Sequence, residues 1–194
     1  MPLGAARFGL LGGVADLGKL ELIETKSITS STNSMDFLSI QESTYNVHFL
    51  TYNNFRPETN ADRLGLRFFE SGTLEGSSVY QYANQLGRAG GTFTDTVRST
   101  ADNHIFLGTN IANTATNSDS GYCYFYNLGD NSKYSFTTSH TTGMYYNTPE
   151  YSFFFGSGVL PQTSTVDGIR LLIGNSPARN IANLQASLYG IAES

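Results

Sequence analysis

The stretch Asn183-Leu-Gln-Ala-Ser-Leu-Tyr-Gly-Ile191 places Leu184, Ala186 and Leu188 on one parity and Asn183, Gln185 and Ser187 on the other. Such period-two alternation is the signature of a half-buried β-strand. A regular strand this close to the last residue needs a partner, because free termini fray. The first convincing strand, Leu20–Ser27, is the natural one. A chain whose first and last strands pair must place everything between them in the same sheet system.

The intervening sequence supplies short strands and turns. Ser43–Tyr52 alternates cleanly, with Tyr45, Val47, Phe49 and Thr51 on one face and Asn46, His48, Leu50 and Tyr52 on the other. Leu64–Phe69 points Leu64, Leu66 and Phe68 inward, and Val166–Ile173 forms the penultimate strand. Shorter strands are expected at Met35–Leu38, Val79–Ala83, Thr92–Val97, His104–Leu107, Tyr122–Tyr126 and Tyr134–Phe136. Gly87–Gly91 and Gly156-Ser-Gly158 read as breakers or turns, Asn110–Ser120 as a long polar loop, and Leu128–Ser132 as a hairpin turn. Tyr145–Phe155, interrupted by Pro149, reads as a loop or sheet edge.

Composition agrees. Aromatics make up 13% and charged residues 14%, the latter against roughly 25% in ordinary soluble domains. Ser, Thr and Asn fill the polar quota, and they compete with helical backbone bonds while Thr, Tyr and Phe fit pleated sheets. The expected fold class is all-β, an antiparallel β-sandwich of jelly-roll type over residues 20–194. Turns every eight to twelve residues point to that architecture and not to a repeat array.

Residues 1–19 differ, with Gly4, Gly9, Gly12, Gly13 and Gly18 set among apolar side chains. That is too apolar for a soluble linker and too glycine-rich for an amphipathic helix. It reads as an extended docking arm that buries Leu3, Phe8, Leu10 and Leu11 against another subunit or protein, with folding back over its own sandwich as the alternative. As a secretory leader it is a poor match, with a short apolar piece broken by Gly12-Gly13 and followed by Asp16.

The net charge of −5 and scattered Lys and Arg give no footprint for nucleic acid. No apolar run approaches the about 18 residues of a spanning helix, so membrane insertion is not expected. Cys123 stands alone in an alternating strand and reads as a packed thiol. His48, His104 and His140 fall in no zinc spacing, and His48 reads as a packed strand residue. Asp119 and Asp130, placed in polar loops, lack calcium-loop spacing. Glu42, Glu70 and Glu75 sit at expected strand ends and read as solvated or turn residues, not as a glycosidase pair. No catalytic residue, metal or cofactor is expected, and the chain reads as a non-enzyme. Tyr80, Tyr82, Tyr145, Tyr146 and Tyr151 are candidate glycan-stacking residues, with core packing or subunit contact as the plainer role.

Several stretches resemble a family of tailed-phage virion proteins, those of marine cyanophages in particular. They are Leu20–Thr25, Ile40–Leu50, Tyr122–Gly129 with Lys133–Phe136, Phe155–Arg170 and Leu188–Ile191, along with the apolar start Met1–Asp16. The resemblance implies a structural subunit with a jelly-roll domain, located on the virion as part of the tail, its fibres or the head surface. Partners implied are other phage virion proteins and further copies of the chain, with a trimer preferred. The alternative is a tail-fibre module that binds a carbohydrate or receptor, such as a host surface glycan.

Overall fold

The computed structural model describes residues 19–91, 93–147 and 150–192. The arm residues Leu3, Phe8, Leu10 and Leu11 lie outside the described residues. In chain order the strands are β1 (Lys19–Ile28), β2 (Ser34–Phe37), β3 (Val47–Pro57), β4 (Leu64–Glu70), β5 (Thr73–Leu74), β6 (Tyr80–Arg88) and β7 (Thr94–Asp102). They continue with β8 (Ile105–Phe106), β9 (Asp119–Tyr126), β10 (Ser135–Met144), β11 (Tyr151–Leu160), β12 (Val166–Ile173) and β13 (Ile181–Ala192).

Pairing of the first and last strands holds, with Leu20 opposite Ile191 and Ile28 opposite Leu184. Nested inside that pair are β2 against β12, β3 against β9 and β4 against β8, all antiparallel. β13 also pairs with β3, and β12 with β4. This is a long hairpin rolled into two sheets, the wiring of a jelly roll. Two hairpins are added to it. β6–β7 enters between β4 and β8, and β10–β11 enters between β9 and β12. They join through β11 and β6, so one sheet grows to eight strands in the order β1-β13-β3-β9-β10-β11-β6-β7. β2, β12, β4 and β5 form the second sheet, with β8 also paired to β4.

The inner faces follow the alternation. Leu184, Ala186 and Leu188 are buried on β13, as are Leu64, Leu66 and Phe68 on β4. On β3 the inward set is His48, Leu50 and Tyr52. Phe37, Phe55, Phe125 and Phe154 fill the space between the sheets with no exposed surface. Each fully buried ring contributes about 1.5–3 kcal/mol.

Several expectations change. Ser43–Tyr52 becomes a strand only from Val47, because the chain turns first, with Gln41 at φ 58° and accepting from the Thr44 and Tyr45 amides. Asp119 is not in a loop; it is the buried first residue of β9. Tyr134–Phe136 is the start of a much longer strand that runs to Met144. Gly156 and Gly158 are not turn residues but lie within β11, an interior strand and not a sheet edge. Their role is close approach: a Cβ at Gly156 would lie 2.4 Å from the Ala83 carbonyl oxygen, and one at Gly158 would lie 2.8 Å from Ile105 Cδ1. β6 likewise runs through the expected breaker to Arg88, and the Phe153 ring lies over Gly87.

Candidate functional site

The eight-stranded sheet has an outer face turned away from the second sheet, and its composition follows from register. Tyr189, Phe49, Tyr124 and Thr138 lie in one row across β13, β3, β9 and β10. The next row carries Ser187, Thr51, Tyr122, His140 and Phe155. On the other side run Ile191, Val47, Tyr126, Phe136 and Val159. Aromatic side chains therefore recur on neighbouring strands, and the contact is direct. The Phe49 and Tyr124 ring centroids are 4.6 Å apart, and Phe49 and Tyr189 are 6.2 Å apart.

Relief on this face makes a groove. β9 raises a wall of Tyr122, Tyr124 and Tyr126, and β11 raises a second of Phe153 and Phe155, with Tyr151 beyond its end. β10 between them offers the shorter Thr138 and the ring of His140 as a floor. Two inter-strand spacings separate the walls, about 9.5 Å at the backbone. Within each wall one pair of rings lies nearly parallel, Tyr124 and Tyr126 at 6.5 Å and 20°, Phe153 and Phe155 at 6.1 Å and 14°, while Tyr122 meets Tyr124 edge-on at 6.0 Å and 78°. His140 meets Tyr122 and Phe153 edge-on at 5.9 and 6.3 Å, bridging floor to both walls. The groove encloses about 760 Å³. Among the described residues, no carboxylate, ammonium, guanidinium or aliphatic side chain lines it. Tyr122, Tyr151 and Phe155 are 40–49% exposed, so ring faces are open to solvent.

Of the tyrosines expected to stack on sugars, none lines this groove; Tyr151 comes nearest, exposed on β11 with its ring 6.4 Å from that of Phe153. Tyr80 is fully buried; its hydroxyl accepts from the Phe68 amide at 2.9 Å and donates to the Glu75 carbonyl at 3.1 Å. Tyr82 is also on the inner face of β6, and its hydroxyl donates to Asp102 Oδ2 at 2.7 Å. Both are corrections: inward positions on β6 cannot present a ring face to a ligand. Tyr145 and Tyr146 touch each other beyond the end of β10, their rings 5.1 Å apart and tilted by 50°, and the Arg88 guanidinium sits 4.7 Å over the Tyr145 ring. The groove's own rings were within reach of sequence reading, since Tyr122, Tyr124 and Tyr126 alternate visibly. What the alternation lacked was the identity of the strands beside them.

The remaining candidates have structural surroundings. His48 is buried, with Nε2 2.8 Å from the Ile40 carbonyl, and burial lowers its pKa. Cys123 is buried and burial pushes its thiol up. Glu70 and Glu75 close the β4–β5 hairpin. Burial raises Glu70, which accepts from Ser164, while the Ser77 amide lowers Glu75. Ser132 and Lys133 hold Asp130 down at about 2.

Asp119 is the unusual carboxyl. Its side chain is fully buried between Gly108 and Gly143, and neither oxygen has a partner of hydrogen-bond geometry. Burial pushes its pKa well up, and the Thr109 backbone amide offsets only part of this. Among the described residues no group of three or more His, Cys, Asp or Glu is placed to hold a metal ion.

No family model matches the chain, and no curated protein does. Among solved structures, the structure of infectious bursal disease virus Gx strain aligns at 10% identity over 92% of this chain and 38% of that chain. The TM-score is 0.09, too slight a likeness to carry an argument.

Proposed function

We propose that the chain is a non-enzymatic structural subunit of a tailed-phage particle, on the tail, its fibres or the head surface. In this reading it is held through its N-terminal arm and presents the sandwich outward. The observation that carries it is the outer face beside the arm's point of entry. Leu20 and Leu22 on edge strand β1 are 53% and 60% exposed, and they continue the row positions of Ile191 and Tyr189. An exposed apolar patch on an edge strand is a liability unless a neighbour covers it. The phage-like stretches within the described residues fall on β1, β3, β9, β12 and β13 of the rolled hairpin and extend onto β10 and β11. A low-charge Ser/Thr/Asn surface favours lasting contacts made by packing and hydrogen bonds.

The test is a cryo-EM map of particles carrying the full chain, compared with particles made with residues 1–18 deleted. Density for the sandwich is expected in the first and not in the second, while the truncated protein alone melts as the full chain does. Sandwich density retained on particles without the arm would overturn arm docking. Absence of the protein from purified particles would overturn the virion reading itself.

A further inference from the structure

From the groove we infer that the outer sheet face is a binding site for an uncharged glycan, laid between the tyrosine wall of β9 and the phenylalanine wall of β11. The inference deepens the virion reading by giving the outward face a ligand, and its test uses the isolated chain.

Ring geometry is the first argument. A pyranose has flat C–H faces and a rim of hydroxyls, so it needs flat apolar surfaces with hydrogen-bonding groups between them. Each wall offers one near-parallel pair of rings spaced by about one strand dipeptide, 6.5 Å for Tyr124 and Tyr126 and 6.1 Å for Phe153 and Phe155. Pairs at that spacing, one on each side of β10, suit linked sugar rings. The floor supplies the Thr138 hydroxyl and the His140 imidazole, with Ser157 at the side. Tyr122 and Tyr124 line the groove and bring hydroxyls that can both donate and accept.

Charge selects among stacking ligands. Single-stranded nucleic acid also stacks on aromatic platforms, but it needs a cationic track beside them. This groove has no Lys or Arg in its lining, on a chain of net charge −5. Acidic sugars meet the same objection. Aromatic, uncharged faces also recur at the cores of protein interfaces; what favours a hydroxyl-rich ligand here is the polar strip of Thr138, His140 and Ser157 running among the rings. The volume of about 760 Å³ lies within the about 300–1,000 Å³ typical of ligand sites.

The rings are also held in place. Phe49 backs Tyr124 at 4.6 Å and 35°, and Phe93 packs edge-on against Phe153 at 5.3 Å. Walls fixed before binding lose little side-chain freedom when a ligand arrives.

The experiment is calorimetric titration of the full chain with cellohexaose, maltohexaose and chitohexaose, alongside an array of neutral and acidic bacterial surface glycans. The expected result is binding of at least one neutral glycan, unchanged in 0.5 M NaCl. Affinity should fall at least tenfold in Tyr124→Ala and in Phe155→Ala, and stay within twofold in Leu22→Ala, which lies on the same sheet outside the groove. Tyr124→Phe, which keeps the ring, guards against loss through misfolding and should retain most of the affinity. Binding confined to acidic glycans, no binding to any glycan, or self-association abolished by Tyr124→Ala would each overturn the inference. None of these outcomes bears on whether the protein is found on particles, so the two readings fail separately.

Discussion

At the scale of single residues, Asp119 is a group that folding places at a cost. An unsatisfied buried polar group costs about 1–3 kcal/mol. Its folded pKa is raised by burial, so the direction of the pH dependence is set. Below the ordinary carboxylate pKa near 4, folded and unfolded chains both keep the proton. As pH rises the unfolded chain releases it first, so Asp119 erodes stability until the folded pKa is passed. Asp119→Asn keeps the shape and removes the titration. The variant should gain about 1–3 kcal/mol at pH 7, with no gain at pH 4, as read from urea midpoints across that range. An equal midpoint shift at both pH values would show that ionisation is not the cause.

At the scale of elements, the strands that reading the sequence found and missed differ in one respect. β3, β4, β12 and β13 bury Leu, Ile, Phe and Tyr on alternate positions, so the period was visible. β10 buries Ser135, Thr137, Ser139 and Thr141, and no apolar alternation announces it. Two of its inner hydroxyls donate to backbone carbonyls, Thr137 Oγ1 to Gly158 O at 3.5 Å and Thr141 Oγ1 to Leu107 O at 2.6 Å, and Thr141 also meets the Tyr52 hydroxyl. Thr141→Val keeps the β-branched shape but strands the buried partners, and should cost about 1–3 kcal/mol. Thr142→Val, one residue on and exposed, should stay within about 0.5 kcal/mol. Equal thermal shifts for the two would mean that β10 is not held from inside by hydrogen bonds. β11 was misread for a related reason. Gly156 and Gly158 signal turns locally, whereas here they admit the Ala83 carbonyl and Ile105. The groove inherits both misreadings, since its floor is β10 and one wall is β11. Register between strands some thirty residues apart is long-range information that local pattern does not carry.

At the scale of the whole molecule, the nested pairing makes β13 the keystone of the larger sheet, held between β1 and β3. Leu20 meets Ile191 only after nearly the entire described chain has been placed. Sheets dominated by such distant contacts fold on the order of milliseconds to seconds. A chain lacking residues 181–194 leaves β1 without its partner and removes Ile181, Leu184, Ala186 and Leu188 from the core. It should show no cooperative melting by near-ultraviolet circular dichroism. A sharp transition from that fragment would mean the sandwich closes without its last strand.

The pairing of Lys19 with Ala192 puts the two ends of the described chain at the same corner of the sheet. A pull applied between those ends would load the β1–β13 ladder one bonded pair at a time, as a zipper opens, because antiparallel bonds lie across the strands. A pull on Lys19 directed along β1 takes another route, because it runs parallel to the strands and shears every pair of the β1–β13 ladder together. The direction in which Lys19 is loaded, more than the width of the sheet, therefore sets how much force the first and last strands withstand.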